Sequence, residues 1–565
     1  MTRSDVDTEV LTTRNSANPA TDAGWWRNAV IYQVYVRSFA DADGDGTGDL
    51  AGVRQRLGYL KALGVDALWF NPWYPSPLAD GGYDVQDYRD IDPRFGTLEE
   101  AEQLIEEALA LGIRTIIDIV PNHISDQHEW FRQALAAGPA SPERERFWFH
   151  PGRGENGDEI PTDWVSSFQG STWTRTTDPD GTPGEWYLHL FTPEQPDLNW
   201  NHPDVRREHE EILRFWFDRG VAGVRIDSAA LPVKDPELPQ LPTGAVAAGR
   251  HPHLDRDELH DIYRAWRSIA DGYPGERVLV GELWLEDAER FAQYLRPDEM
   301  HTAFNFDFMT QPWSATAMRA SITRTLAEHA PVGAPATWVL SNHDVTRPST
   351  RYGRADSSFA FERKRFGTPT DLARGQRRAR AAALLTAALP GSLYIYQGDE
   401  LGLPEVELPP AAIQDPMHFR SGGVDPGRDG CRVPLPWSGT AAPYGFGGEP
   451  WLPQPTDWAP FTVEAEEADP DSTLHLYRRM LELRRSIPDL TAGALHWLEL
   501  GADVIAFRRG DDVLCITNLG AVPVPLPAHH GVLIASSRSE HTLPPDSTAW
   551  LALRAEPERS PGAKR

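Results

Sequence analysis

Between residues 25 and 487 the chain alternates short apolar runs with amphipathic helical patterns eight times. Strand-like runs fall at 30–39, 65–71, 114–120, 221–227, 278–284, 302–309, 336–344 and 392–397. Helical periodicity falls at 50–63, 97–111, 204–220, 257–271, 286–295, 314–328, 371–388 and 472–487. Short continuous apolar runs are what strands buried on both faces look like, and β-then-α order makes them parallel. Eight such units predict an α/β chain whose sheet closes as a (β/α)8 TIM barrel. An open doubly wound sheet is the alternative, and the lack of a Gly-rich phosphate loop counts against it.

Two stretches interrupt the rhythm. Residues 124–196, rich in Trp, Pro, Gly and Asp, are too long for a simple connection and are expected to form an inserted lobe after strand three. A Pro/Gly-rich excursion at 401–471 is expected to line the same mouth of the barrel. The barrel itself is assigned to 23–123 and 197–489. Beyond it, runs at 504–508, 513–518, 531–536 and 548–553 predict a C-terminal antiparallel β domain over 490–554. Residues 1–22 and 555–565 read as disordered tails.

In a barrel of this kind the working residues stand at the C-terminal ends of the strands. Four of these strands end in chemistry: Asp118-Ile-Val-Pro-Asn122-His123, Gly223-Val-Arg225-Ile-Asp227, Gly281-Glu282-Leu-Trp284 and Ser341-Asn342-His343-Asp344. Arg225 and Asp227 are two apart on a strand and leave on one face, so the guanidinium is expected to keep Asp227 ionised, as a nucleophile requires. Glu282 lies beside Leu283 and Trp284, an apolar frame expected to hold its proton for general-acid work. A lone Arg-x-Asp is ordinarily just an ion pair; four acidic or imidazole strand ends in one barrel imply a sugar-cleaving pocket.

The bulk composition agrees. The net charge of −29 and pI near 5.0 disfavour nucleic acid and anionic membrane surfaces as partners, and a neutral small molecule fits better. Twenty Trp and fifteen Tyr supply flat surface suited to sugar stacking. Two distant cysteines, Cys431 and Cys515, make no disulfide framework, and no run approaches the ~18 apolar residues of a membrane span. The N-terminus has no signal-like apolar core, so the expectation is a cytoplasmic protein, a monomer or small homo-oligomer.

Together the four segments resemble the signature regions of the α-amylase superfamily of glycoside hydrolases. Gly48-Asp-Leu-Ala-Gly-Val53 resembles its early region and Gly391-Ser-Leu-Tyr-Ile-Tyr-Gln-Gly-Asp-Glu400 its last strand region. Gln195-Pro-Asp-Leu-Asn199 is similar to the variant found in the α-glucosidase and oligo-1,6-glucosidase subgroup. The resemblance implies Asp227 as nucleophile, Glu282 as acid/base and Asp344 as the group that steadies the distorted ring. It implies further substrate contacts from Arg225, His123, His343, Phe191 and Gln195. The exo-acting subgroup's pocket element matches Asp80-Gly-Gly-Tyr83-Asp84, with Tyr83 as platform, and its partner arginine matches Arg432 in Arg428-Asp-Gly-Cys-Arg432.

Asp41-Ala-Asp43-Gly-Asp45-Gly-Thr47-Gly-Asp49 alternates carboxylates as a hard-cation loop does, although position twelve of an EF-hand pattern would be Gly52. The resemblance implies a structural Ca2+ or Mg2+ on Asp41, Asp43, Asp45, Asp49 and the Thr47 carbonyl, with no organic cofactor. Ser228, where α-1,6-preferring members have Val, points to α-1,4-linked maltose and maltooligosaccharides. The expected activity is an exo-acting retaining α-glucosidase. The alternatives are an oligo-1,6-glucosidase or a transglucosidase or isomerase acting on sucrose, trehalose or maltose. A non-catalytic, membrane-anchored relative is disfavoured, because Asp227, Glu282 and Asp344 are all in place.

Overall fold

The computed structural model describes residues 23–178, 180–244 and 246–554. The tails expected at 1–22 and 555–565 lie outside the described residues. Eight parallel strands run β1 Val30–Val34, β2 Ala67–Phe70, β3 Arg114–Ile119, β4 Gly223–Ile226, β5 Val278–Gly281, β6 Thr302–Ala303, β7 Thr337–Val339 and β8 Ser392–Tyr396. They pair in the order β7-β8-β1-β2-β3-β4-β5-β6, so first and last strands meet, as Val30↔Leu393. Between β6 and β7 there is no ladder. The Asn305 N–H donates to the Thr337 carbonyl at 3.3 Å and the Thr302 and Thr337 hydroxyls meet, which draws the barrel nearly closed.

Alternation along each strand splits the core in two. Ile31, Trp69, Ile116, Val280, Val339 and Tyr394 belong to the cluster inside the barrel. Their neighbours Tyr32, Leu68, Ile117, Leu279, Trp338 and Leu393 pack outward in the larger cluster shared with the helices. Helices follow the strands close to the expected bounds, among them Leu98–Ala110, opened by a Thr97/Glu100 capping box, and Leu372–Ala387, capped by Asp371. The region expected as one helix at 50–63 is two pieces, Leu50–Gln55 and Leu57–Leu63.

Several strands are shorter than their apolar runs. The run at 302–309 is strand only over Thr302–Ala303, because Asn305 turns its side chain onto the Phe308 N–H and caps a helix, Phe306–Thr310. The run at 336–344 leaves the ladder after Val339, which frees His343 and Asp344 to face the barrel mouth. The lobe carries a helix, Glu129–Ala137, and three antiparallel strands, Phe149–His150, Trp173–Thr177 and Pro183–Leu188, around buried Trp148, Trp164 and Trp173. An isolated bridge between His123 and Asp197 closes its neck. The C-terminal sheet, Leu495–Leu498, Val504–Arg509, Val513–Asn518, Gly531–Ala535 and Ser547–Ala552, lies against helix Leu372–Ala387, and the Trp550 indole N–H donates to the Leu384 carbonyl at 3.0 Å.

Candidate active site

Strand register assembles the site. Asp118 on β3 stands opposite Arg225 on β4, and Ile226 opposite Gly281 on β5. Asp227 and Glu282 are each one residue past that last pair, so they emerge side by side from neighbouring strands, about 4.8 Å apart at the backbone. Arg225 sits beneath them, fully buried. Its Nη1 donates to Asp118 Oδ1 at 2.7 Å and to Asp227 Oδ1 at 2.8 Å, and its Nη2 reaches Glu282 Oε2 at 2.6 Å. One guanidinium thus serves three carboxyls.

Burial, followed by the facing charge of Glu282, pushes the Asp227 carboxyl well above its ordinary range, with Arg225 opposing. Two carboxyls in one low-dielectric site disfavour each other's charge. The frame around Glu282 is more polar than its flanking residues imply. Its Oε1 accepts the Trp284 indole N–H at 3.0 Å, and its Oε2 accepts the Ser228 N–H at 2.9 Å. The expectation of an apolar frame fails because Trp284 turns its one polar atom inward. Ser228 holds φ +44, a left-handed conformation uncommon for a non-glycine residue, and that turn aims its N–H at the acid.

On the opposite wall stands Asp344. Burial disfavours its charge, but His343, Arg428 and Arg432 more than offset this and hold the carboxyl below the usual range. Arg432 Nη2 lies 3.0 Å and Arg428 Nη1 3.2 Å from Asp344 Oδ1, and His343 Nε2 lies 3.2 Å from Oδ2. The Gln33 amide N–H meets His343 Nδ1 at 2.8 Å, so the ring's proton belongs on Nε2, toward Asp344. Burial pushes the His343 ring well below its ordinary range, and His123 down to about 3. Both imidazoles are therefore neutral.

The Asp–Arg pair deep in the pocket is built differently from the sequence expectation. Asp80 Oδ1 pairs with Arg428 Nη2 at 2.5 Å, while Arg432 is placed behind Asp344. Both arginines belong to one five-residue segment, and spacing alone had no way to choose between them. Arg428 is in turn gripped by Asp415 at 2.8 Å, a residue no motif singled out. Gln195 joins the same cluster, with its amide N 3.0 Å from Asp80 Oδ2 and 2.9 Å from His123 Nε2. Tyr83 stacks on His343 with ring centroids 5.2 Å apart and donates to Asp118 Oδ2 at 3.0 Å. Asp118 carries Arg225, Tyr83 and the Trp69 indole N–H. Burial raises its carboxyl to about 6 against the pull of Arg225.

These groups line a cavity of about 430 Å³. Asp80, Tyr83, His123, Phe191, Asp227, Glu282, His343, Asp344 and Arg428 reach it, with Trp284, Leu254, His253, Phe361 and Glu362 also on its wall. His253 and Leu254 come from the long connection between β4 and the helix that follows it. At the end of β1, carboxylate oxygens of Asp41, Asp43 and Asp49 lie within 4.8 Å of one another. Asp45 stands apart and accepts the Thr47 N–H at 2.7 Å.

A (β/α)8 barrel carrying paired carboxyls at the ends of β4 and β5 and a third beyond β7 defines a barrel glycosidase. The family described as alpha amylase, catalytic domain, matches residues 33–493, and the chain belongs to this α-amylase family of glycoside hydrolases. It is 34% identical to a probable alpha-glucosidase of Rhizobium meliloti, over 88% of this chain and 90% of that one. It is 33% identical to an oligo-1,6-glucosidase of Parageobacillus thermoglucosidasius (87% and 90% covered) and 35% to a trehalose-6-phosphate hydrolase of Escherichia coli (88% and 91%). The crystal structure of an alpha-glucosyl transfer enzyme superposes with TM-score 0.82 at 33% identity, covering 94% of this chain and 99% of that one. Cys431 and Cys515 are buried and free, and among the described residues no helix is long and apolar enough to cross a membrane.

Asp227→Asn should lower turnover of an aryl α-glucoside by at least about 10⁴-fold while leaving the circular dichroism spectrum intact; substantial residual activity would exclude Asp227 as the attacking group. The pH profile of kcat/KM should fall on the acid side as Asp227, whose carboxyl burial raises, takes up the proton that blocks its attack, and the neutral histidines should add no limb in their ordinary range. An acid limb at or below the ordinary carboxylate range would count against the raised carboxyl.

Proposed function

We propose that the protein is an exo-acting, retaining α-glucosidase that releases α-glucose from the non-reducing end of short α-1,4-linked glucosides such as maltose. The observation that carries this reading is the pocket's inner end, where Asp80, gripped by Arg428 and Gln195, stands with Tyr83 beside the carboxyl pair. A charged pair across the inner end favours the hydroxyls of one terminal sugar over a continuing chain. Asp227 attacks C1 as the glycosidic C–O bond breaks, and Glu282 delivers its proton to the leaving oxygen; Glu282 then takes a proton from the water that frees the sugar. A glycosidic oxygen between the two acids is an acceptor for protonated Glu282, and so favours the arrangement in which Asp227 is the anion. Asp344, held ionised by its arginines, offsets the positive charge that develops on the ring. Asp227 and Glu282 share one guanidinium, which supports the short carboxyl separation of retaining enzymes.

A second reading, transfer of the glucosyl unit to a sugar acceptor, draws on the mouth. Trp284 stacks on Phe306 with centroids 4.1 Å apart and meets Phe361 at 5.4 Å, an aromatic ledge on which an acceptor ring can lie. It also draws on the similarity to the alpha-glucosyl transfer enzyme. Ser228, small and polar on the cavity wall, favours the α-1,4 linkage in either case.

We also propose that the loop after β1 holds a structural Ca2+ or Mg2+. Its three convergent carboxylates are hard oxygen donors, and Gly44 and Gly46 take the left-handed turns that fold the loop onto itself. Asp41 also accepts the Gly448 N–H at 2.7 Å, so this loop braces the excursion at 401–471.

A panel of maltose, isomaltose, sucrose, trehalose and maltotriose, with products separated over time, tests the activity. Glucose released fastest from maltose and maltotriose is expected; dominant isomaltose cleavage would overturn the linkage, and dominant disaccharide isomers the hydrolysis. For the metal, a hundredfold excess over Kd stabilises by about 2.7 kcal/mol, so chelation should lower the thermal midpoint by a few degrees and added Ca2+ or Mg2+ restore it. A midpoint indifferent to chelator removes the metal.

A further inference from the structure

Only four residues of the chain are Lys, against fifty Arg, and Lys234 is fully buried. It lies seven residues beyond Asp227, outside the cavity. Its ammonium reaches Asp197 Oδ2 at 2.8 Å, Asn122 Oδ1 at 2.5 Å, and the carbonyls of Leu231 and Pro232 at 2.9 and 3.3 Å. Asp197 completes the triangle by accepting the Asn122 amide N–H at 3.0 Å and the Leu190 N–H at 3.0 Å through its other oxygen.

Those partners come from three separate segments. Asn122 lies three residues past β3 and precedes His123. Asp197 returns from the lobe two residues after Gln195, and Leu190 precedes Phe191. Leu231 ends the turn that starts at Asp227 and Ser228. Each segment therefore delivers a pocket group next to its contact with the ammonium: His123, then Phe191, then Ser228 and Leu231. A compact ammonium with three rotatable donors can meet oxygens spread around a point, whereas a guanidinium is bulkier and holds all its donors in one plane. Burial pushes Asp197 up and Lys234 down, and their contact opposes both shifts.

We propose that Lys234 is a positioning residue that locks the lobe, the β3 end and the loop after the nucleophile into one pocket, and so sets substrate affinity without touching substrate. The inference rests on the reading of this pocket as a glucoside site. Lys234→Met alone leaves Asp197 buried and unpaired and is at risk of not folding. The double variant Lys234→Met/Asp197→Asn removes both charges and keeps the volume, and it carries the test.

Kinetics on an aryl α-glucoside, normalised to active sites by a mechanism-based fluoroglucoside, separate the possibilities. The double variant should raise KM at least tenfold with a smaller loss in kcat, keep the acid limb of its pH profile, and make the lobe more open to limited proteolysis at 124–196. Lys234→Arg, which retains the charge, should also raise KM. An unchanged KM per active site in the double variant, whatever its melting temperature, would overturn the proposal and leave Lys234 a purely structural group. Full rescue by Lys234→Arg would overturn it too, because charge alone would then suffice. If the wild-type protein cleaves no α-glucoside, the functional reading fails first, and that outcome is distinct from either.

Discussion

The Arg225 guanidinium is the contact on which the rest of the site depends. It is buried in the barrel interior, where an unpaired charge costs several kcal/mol, and it is stabilised there only because Asp118, Asp227 and Glu282 surround it. The dependence runs both ways. Without the guanidinium, three carboxyls stacked at the ends of adjacent strands would repel one another and take up protons. With it, Asp227 and Glu282 stand side by side on the pocket wall, and the third, Asp118, is spent on holding the arginine, Tyr83 and Trp69 in place.

The barrel makes that cluster possible through register. Parallel strands set Asp118 opposite Arg225 and carry Asp227 and Glu282 out side by side, without any loop having to place them. Loops then supply what differs among enzymes of this architecture: Asp344 past β7, Arg428 and Arg432 in the excursion after β8, Gln195 and Phe191 from the lobe. Each loop group is fixed by buried polar contacts of its own. Asp415 holds Arg428, Gln33 orients His343, and Lys234 with Asp197 ties the lobe to the barrel. The site is thus a rigid floor on strands with walls clamped onto it by hydrogen bonds.

Much of this was legible in the chain. The eight units, the C-terminal sheet and the strand ends carrying Asp227, Glu282, His343 and Asp344 followed from period, order and residue type. What misled was local context. The apolar neighbours of Glu282 hid an indole N–H, the run at 302–309 hid an Asn cap, and the two arginines at 428 and 432 looked interchangeable. Asp415 and Lys234 gave no local signal, because what matters about them is a partner distant in the chain.

The sequence by itself determined the fold class and the chemical groups, because apolar periodicity and strand-end acids are local patterns that survive in one dimension. Which acid faces which cation was decided only by the tertiary structure. Charge pairing depends on distances of a few ångströms between segments a hundred or more residues apart, and burial sets how strongly each pair matters. That is why Arg225 and Asp227 could be set on one face of their strand from the sequence, while the surroundings of that carboxyl, Asp80's partner and the contacts of Lys234 had to wait for the folded chain.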